Sequence, residues 1–324
     1  QTAVALIVLM TVYSCSLIPK QVDVISKPLD RQIAQPMLPR GIDLKEPYWY
    51  VVSEKNIEEF IERVKKEEGR LVFADDLTPK KNSPDNKKVK SLMLVGNSFF
   101  YYNNSLHKYI GDIVKHDDFI DDLKRRSITI NGSALSWHDV ESYLENPNIG
   151  NFKIDTNNDN QYVPYPDTNI DAVIMMGCSL CPIHPERKQS FKKYVKEHAM
   201  TIRAKGSEPM LFMSWAYKNK PEMFFDLKKE FLSVANLNNL LLIPVGEAFY
   251  KFNNSHPEID LYTSDLRHPS REGSYMAAAV IFSTLYGRST FGNAGMMNLT
   301  PEIAYKIQKV ADETVEEFFQ LQLK

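Results

Sequence analysis

The chain has 324 residues, 43% of them apolar, with 17 Phe and 16 Tyr, and its 39 Lys and Arg nearly balance its 41 Asp and Glu for a net charge of -2. Such a length holds one large domain plus an appendage, and such a composition excludes a disordered or fibrous chain. The charge balance excludes an electrostatic nucleic-acid binder, which needs a clustered basic excess, so no nucleic-acid partner is expected.

Taken from the start, an apolar run over residues 3–13 is too short for a standard membrane span and ends in Val12-Tyr13-Ser14-Cys15. It reads as an export signal over residues 1–15, whose basic leading part would lie ahead of Gln1. The other reading is a buried strand or helix start. A small residue directly before a cysteine resembles a bacterial lipoprotein processing site, so Cys15 is the expected point of lipid attachment and the membrane the expected partner. The protein would then be exported and anchored facing the periplasm or cell surface. Residues 16–47, with Pro19, Pro28, Pro36 and Pro39, read as a tether.

Residues 48–90 form a small strand-helix-strand extension and linker. Residues 48–52 are aromatic and β-branched, Ser53 is a cap, and Ile57, Phe60, Ile61 and Val64 fall at helical spacing. Gly69 stops that helix before Leu71-Val72-Phe73, and the Lys-, Pro- and Asp-rich residues 75–90 suit a surface linker.

From residue 91 to 324 short apolar runs alternate with amphipathic helices. Strands are expected at residues 92–95, 127–130, 172–176, 210–214 and 240–244; because the runs are almost continuously apolar, both faces are buried and the sheet is mostly parallel. A helix is expected near residues 104–115. Periodicity is clearest at 186–205, where Phe191, Val195, Ala199 and Ile202 share a face and Gly206 stops the helix. Residues 270–286 and 301–321 close the chain, the last helix opening on Thr300-Pro301. The fold class is therefore α/β, a three-layer α/β/α sandwich.

Ligands of such sheets gather beyond the carboxyl ends of the strands. The first strand leaves through Gly96-Asn97-Ser98, which alone is equally a turn and helix cap. A serine hydroxyl is a poor nucleophile at neutral pH and needs a base that is itself oriented by a carboxylate. Asp265-Leu266-Arg267-His268-Pro269 can supply both, with Asp265 accepting from the His268 Nδ1-H while Nε2 faces Ser98. Gly132, after the second strand, can bring its N-H close to a substrate oxygen. A fourth exit reads Met176-Gly177-Cys178-Ser179.

In this order the four blocks resemble those of the SGNH (GDSL-like) hydrolase superfamily, over about residues 91–292. The resemblance is nearest to a bacterial branch in which Gly-Asn-Ser-Phe is followed by Tyr-Tyr-Asn, as in Gly96 to Asn103 here. Gly132-Ser133-Ala134-Leu135 with His138, Ser214-Trp215-Ala216, Pro244 to Phe249, and His268-Pro269-Ser270 running into Gly273-Ser274-Tyr275 add to it.

The resemblance implies a flavodoxin-like sandwich and a serine esterase that needs no cofactor or metal, with Ser98, His268 and Asp265 as catalytic triad. It also implies an oxyanion hole from the N-H groups of Ser98 and Gly132. The third donor of the superfamily is commonly an Asn; here Ser179 holds that position, and Asn97 is a candidate to compensate and to contact substrate. An O-acetyl group on a polysaccharide or smaller sugar is the implied substrate. The alternatives are a lipase or thioesterase, or a non-catalytic glycan-binding lipoprotein. Trp137 and Trp215 could stack on a sugar ring, or could be core or pocket wall. Cys178-x-x-Cys181 with His184 invites a metal or redox reading, but a structural zinc needs a fourth ligand and a thioredoxin-type pair would open the helix after the first strand of a different fold. Packing or a single disulfide formed after export is therefore expected.

Overall fold

The structure, a computed structural model, describes residues 78–324 apart from 121, 147, 151 and 165–168. The expected export signal with Cys15, the tether and the strand-helix-strand extension lie outside the described residues.

Five parallel strands form the sheet: β1 (Ser91–Gly96), β2 (Lys124–Thr129), β5 (Ala172–Met175), β6 (Glu208–Phe212) and β7 (Leu241–Ile243), in the order β2-β1-β5-β6-β7. Every residue of β1, β5, β6 and β7 is buried, which is why they read as apolar runs. β2 begins three residues earlier than its apolar signature, because Lys124 and Arg125 are exposed at the sheet edge. Buried Arg126 instead donates to the Tyr143 carbonyl. A separate antiparallel hairpin, β3 (Phe152–Asp155) and β4 (Gln161–Pro164), lies between β2 and β5 in sequence.

Eight helices accompany the strands among the described residues: α1 (Ser98–Tyr101), α2 (Leu106–Lys115), α3 (Val140–Glu145), α4 (Lys188–Ala204), α5 (Met223–Leu237), α6 (Val245–Ser255), α7 (Arg271–Tyr286) and α8 (Pro301–Phe319). Helices α2 and α8 pack on α7, whereas α3 packs on α4, so the sheet separates two helical layers. Helix α7 is buried continuously from Gly273 to Leu285 and is the centre of its layer. Its capping residue Ser270 accepts from Gly273 N-H, and Gly287 ends it in the left-handed conformation, φ 60°. Asp312 of α8 braces the last turn of α7 and the chain after it by accepting from Ser283, Ser289, Thr290 and Phe291.

The described residues 79–90 before β1 include no helix or strand but are fastened along the domain. The Glu208 carboxylate accepts from the Asp85 and Asn86 N-H groups and pairs with Lys81, while Val89 is buried. Among the described residues no helix is long and apolar enough to cross a membrane. Strand order places a switch between β1 and β5: the chain leaves β1 toward β2 on one side, then continues through β5, β6 and β7 on the other. A crevice beyond the carboxyl ends at that switch is where open α/β sheets accommodate ligands.

Candidate active site

Register determines which loops meet at this crevice. Gly96 pairs with Thr129 and Val95 with Met175, so Ser98, Gly132 and Ser179 all lie a few residues past the same rim. Gly96 itself is required by close packing, since a Cβ there would stand 2.8 Å from the Phe100 ring.

Asn97 caps α1, its side-chain oxygen accepting from Phe99 N-H. Its Nδ2 donates to the carbonyls of Ser133 and Gly177, at 3.0 and 3.1 Å. One buried amide thus ties the exits of β1, β2 and β5 together. This corrects the reading of Asn97 as a substrate or oxyanion contact: its amide hydrogens are already committed to the protein.

Ser98 follows as the first residue of α1, where a backbone N-H has no intrahelical acceptor. Its Oγ is 2.8 Å from His268 Nε2, and His268 Nδ1 is 2.5 Å from Asp265 Oδ2. The three side chains are therefore hydrogen-bonded in series. Ser98 and His268 are 6% and 7% exposed, so both are largely shielded from bulk water.

The other Asp265 oxygen accepts from Thr263 Oγ1 and from the N-H groups of Arg267 and His268. Burial alone would favour the neutral acid, but these bonds, led by that from His268, outweigh it and hold the Asp265 carboxyl below the usual carboxylate range. An ionised Asp265 accepts the Nδ1 proton, which leaves Nε2 free to take one from Ser98.

The His268 loop is held from several directions. Tyr102 stacks on the imidazole at 4.2 Å and Phe99 meets it edge-on at 5.6 Å. Asn103 Nδ2 donates to the carbonyls of Pro269 and Ser270 and to Ser274 Oγ. Leu266 sits at φ 62°, and its carbonyl accepts from Lys218 N-H. Tyr102 and Asn103 were part of the recognised sequence block but carried no readable role, because their contacts join positions far apart in sequence.

Trp215 also belongs to this support. It is wholly buried, stacked between Phe99 and Phe249 at 4.4 and 4.1 Å, and its Nε1 donates to the Arg267 carbonyl. No face remains for a sugar, which corrects that reading. Trp137, by contrast, is 61% exposed.

Gly132 adopts φ +66°, a conformation suited to glycine, and a Cβ there would meet nothing within 4 Å. Among the described residues, neither its N-H nor that of Ser98 has a hydrogen-bond partner. Ser179 Oγ is 2.8 Å from Tyr217 OH. Two residues on, Cys181 is joined to Cys178 in a disulfide. The pair is thus a disulfide rather than two packed thiols, and among the described residues no cluster of ligating side chains is arranged for a metal ion.

Behind the Gly132 loop lies a second chain of hydrogen bonds. Ser133 Oγ donates to the Gly96 carbonyl at 3.1 Å and is 2.9 Å from His138 Nε2. With its one proton used, Ser133 must accept, so His138 carries its proton on Nε2 and its Nδ1 faces Tyr143 OH at 3.4 Å. Burial, and secondarily the nearby His198, pushes the His138 pKa down to about 4.

No family model matches the chain, and no curated protein sequence matches it. Among solved structures, the chain is similar to a DUF4886 family protein from Bacteroides uniformis, at 20% identity over 72% of this chain and 99% of the other, with a TM-score of 0.49. It is also similar to the acetyl xylan esterase AlAXEase, at 16% identity over 60% of this chain and 98% of the other, with a TM-score of 0.44.

Proposed function

We propose that the protein is a serine esterase that removes O-acetyl groups from carbohydrate. The observation that carries the reading is the 2.8 Å contact between Ser98 Oγ and His268 Nε2, continued by the His268 to Asp265 hydrogen bond. Ser98 Oγ attacks the ester carbonyl carbon while its proton passes to His268 Nε2. The resulting oxyanion is held by the N-H groups of Ser98 and Gly132, with the Ser179 hydroxyl as third donor when Tyr217 donates to Ser179. His268 returns the proton to the departing sugar oxygen as the carbonyl re-forms, leaving an acetyl-Ser98 intermediate. His268 then deprotonates water, which attacks that intermediate, and returns this proton to Ser98 Oγ as the acyl bond breaks, releasing the acetyl group as acetic acid, which ionises to acetate, and restoring free Ser98.

The sugar acetate is chosen because the ordered sequence blocks resemble a superfamily rich in carbohydrate esterases, a step of analogy. Export with a lipid on Cys15 completes the proposal. The Cys178–Cys181 disulfide supports an oxidising compartment, where such bonds persist.

The experiment is labelling with a fluorophosphonate, paired with p-nitrophenyl acetate turnover. Wild-type protein is expected to be labelled at Ser98 and to release p-nitrophenol, and Ser98→Ala to do neither. Acetyl-ester turnover that persists in Ser98→Ala, or a wild type that resists the label, would overturn the assignment.

A further inference from the structure

A cleft of about 360 Å³ opens beside Gly132, bounded on one side by Trp137 and on the other by Cys181, Arg187, Ser190 and Phe191. Its volume is in the range of small-molecule sites, roughly 300 to 1,000 Å³. Each wall is firmly mounted. Trp137 ends a helical turn, residues Leu135–Trp137, whose Leu135 side chain is buried and whose Leu135 carbonyl is 2.9 Å from His198 Nε2. The opposite wall is fixed by the disulfide, by the Cys181 N-H bond to the Cys178 carbonyl and by the His184 N-H bond to the Leu180 carbonyl, before α4 begins.

The lining combines Trp137 and small apolar surface, such as Ala134, with a guanidinium, two hydroxyls, at Ser136 and Ser190, and, at Glu186, a carboxylate. A pyranose matches that mixture: its C-H face can lie on an indole while its hydroxyls take the polar groups. An acyl chain matches it less well, since it cannot use the hydrogen-bonding groups that exposed Glu186, Arg187 and Ser190 present. An acetyl methyl is too small to fill the space, so the cleft suits the alcohol part of the ester.

We propose that the cleft between Trp137 and Arg187 is the sugar subsite of this enzyme, holding a pyranose of an O-acetylated glycan with Trp137 against its C-H face and Arg187 and Ser190 on its hydroxyls. The inference rests on the esterase reading above and adds where the glycan lies and which residues select it.

The test compares steady-state kinetics on two esters, an acetylated xylo-oligosaccharide and p-nitrophenyl acetate, the second having no sugar. Trp137→Ala and Arg187→Ala are expected to raise KM for the oligosaccharide tenfold or more while changing kcat/KM for p-nitrophenyl acetate less than twofold. Trp137→Phe, which keeps an aromatic face, should recover most of the lost affinity. The subsite is overturned if wild type is active on both esters and the variants lose activity on both alike or on neither. It is overturned equally if Trp137→Ala chiefly impairs p-nitrophenyl octanoate, for the cleft would then hold acyl chains. A wild type inert toward every ester sinks the esterase reading itself, and the subsite's role with it.

Discussion

Replacing Asp265 by Asn probes the reasoning about the site because the consequence can be worked out atom by atom. One Asp265 oxygen accepts three bonds, from Thr263 Oγ1, Arg267 N-H and His268 N-H, and the other accepts one, from His268 Nδ1. An asparagine has one oxygen and one NH2, and its better orientation keeps the oxygen on the three donors. The reverse would point NH2 at two backbone N-H groups. With the side chain 41% exposed, so that water softens the penalty, that preference is on the order of 2 kcal/mol, a factor of roughly thirty. In the favoured orientation the NH2 faces His268 Nδ1 and forces the proton onto Nε2, so the imidazole can no longer accept from Ser98. Losing the carboxylate charge, which steadies the imidazolium, removes at least another factor of about ten.

The expected result is a fall in kcat on p-nitrophenyl acetate of about 300-fold or more, or roughly 3.4 kcal/mol in the barrier. Because the three accepted bonds survive, the thermal midpoint should move by no more than a few degrees. An Asp265→Asn protein that keeps a tenth of wild-type kcat would refute the argument that this carboxylate sets the tautomer.

Two further outcomes follow from the supporting bonds. His138 has its pKa lowered from 6.5 to about 4, so between those values the unfolded chain binds a proton that the folded chain refuses. Stability is therefore full above pH 6.5 and declines as the pH falls toward 4, by on the order of 3 kcal/mol for this one group at 1.36 kcal/mol per pH unit. Urea midpoints from pH 7 to pH 4.5 should fall less steeply in His138→Gln than in wild type; parallel curves would contradict the assignment. Asn97→Ala removes the α1 cap and strands two buried carbonyls, together about 3 to 5 kcal/mol, so its urea midpoint should drop clearly. An unchanged midpoint would show that the three strand exits do not depend on this amide.

What could be read from the sequence was what burial on two faces imposes. Strands β1, β5, β6 and β7 are apolar throughout, and each was placed within about two residues. The edge strand β2 was found only in part, since its first residues face solvent. Helix α6 was seen as a block but not as a helix, because Gly246 sits in its first turn. That glycine is needed there: a Cβ would stand 2.3 Å from the Ser214 carbonyl oxygen. The β3–β4 hairpin was not foreseen, its turn being a run of polar residues with Asp159 and Asn160 at positive φ.

At the site, the Ser98, His268 and Asp265 side chains meet as the sequence blocks suggested. The two tryptophans were indistinguishable as letters, yet one is wedged between aromatic rings and the other stands in solvent. Asn97 was misread for a related reason. Whether a polar side chain serves a ligand or the backbone depends on carbonyls contributed by distant loops.

The Ser98 hydroxyl and the His268 ring are separated by 170 positions in the chain, one supplied by the exit of the first core strand and the other by the turn ahead of α7. Both segments must therefore be synthesised and brought together before this hydrogen bond can form. Under the proposed chemistry, covalent capture at Ser98 would accordingly count molecules in which these distant segments have joined, during synthesis or refolding, in a way that spectroscopic helix content cannot.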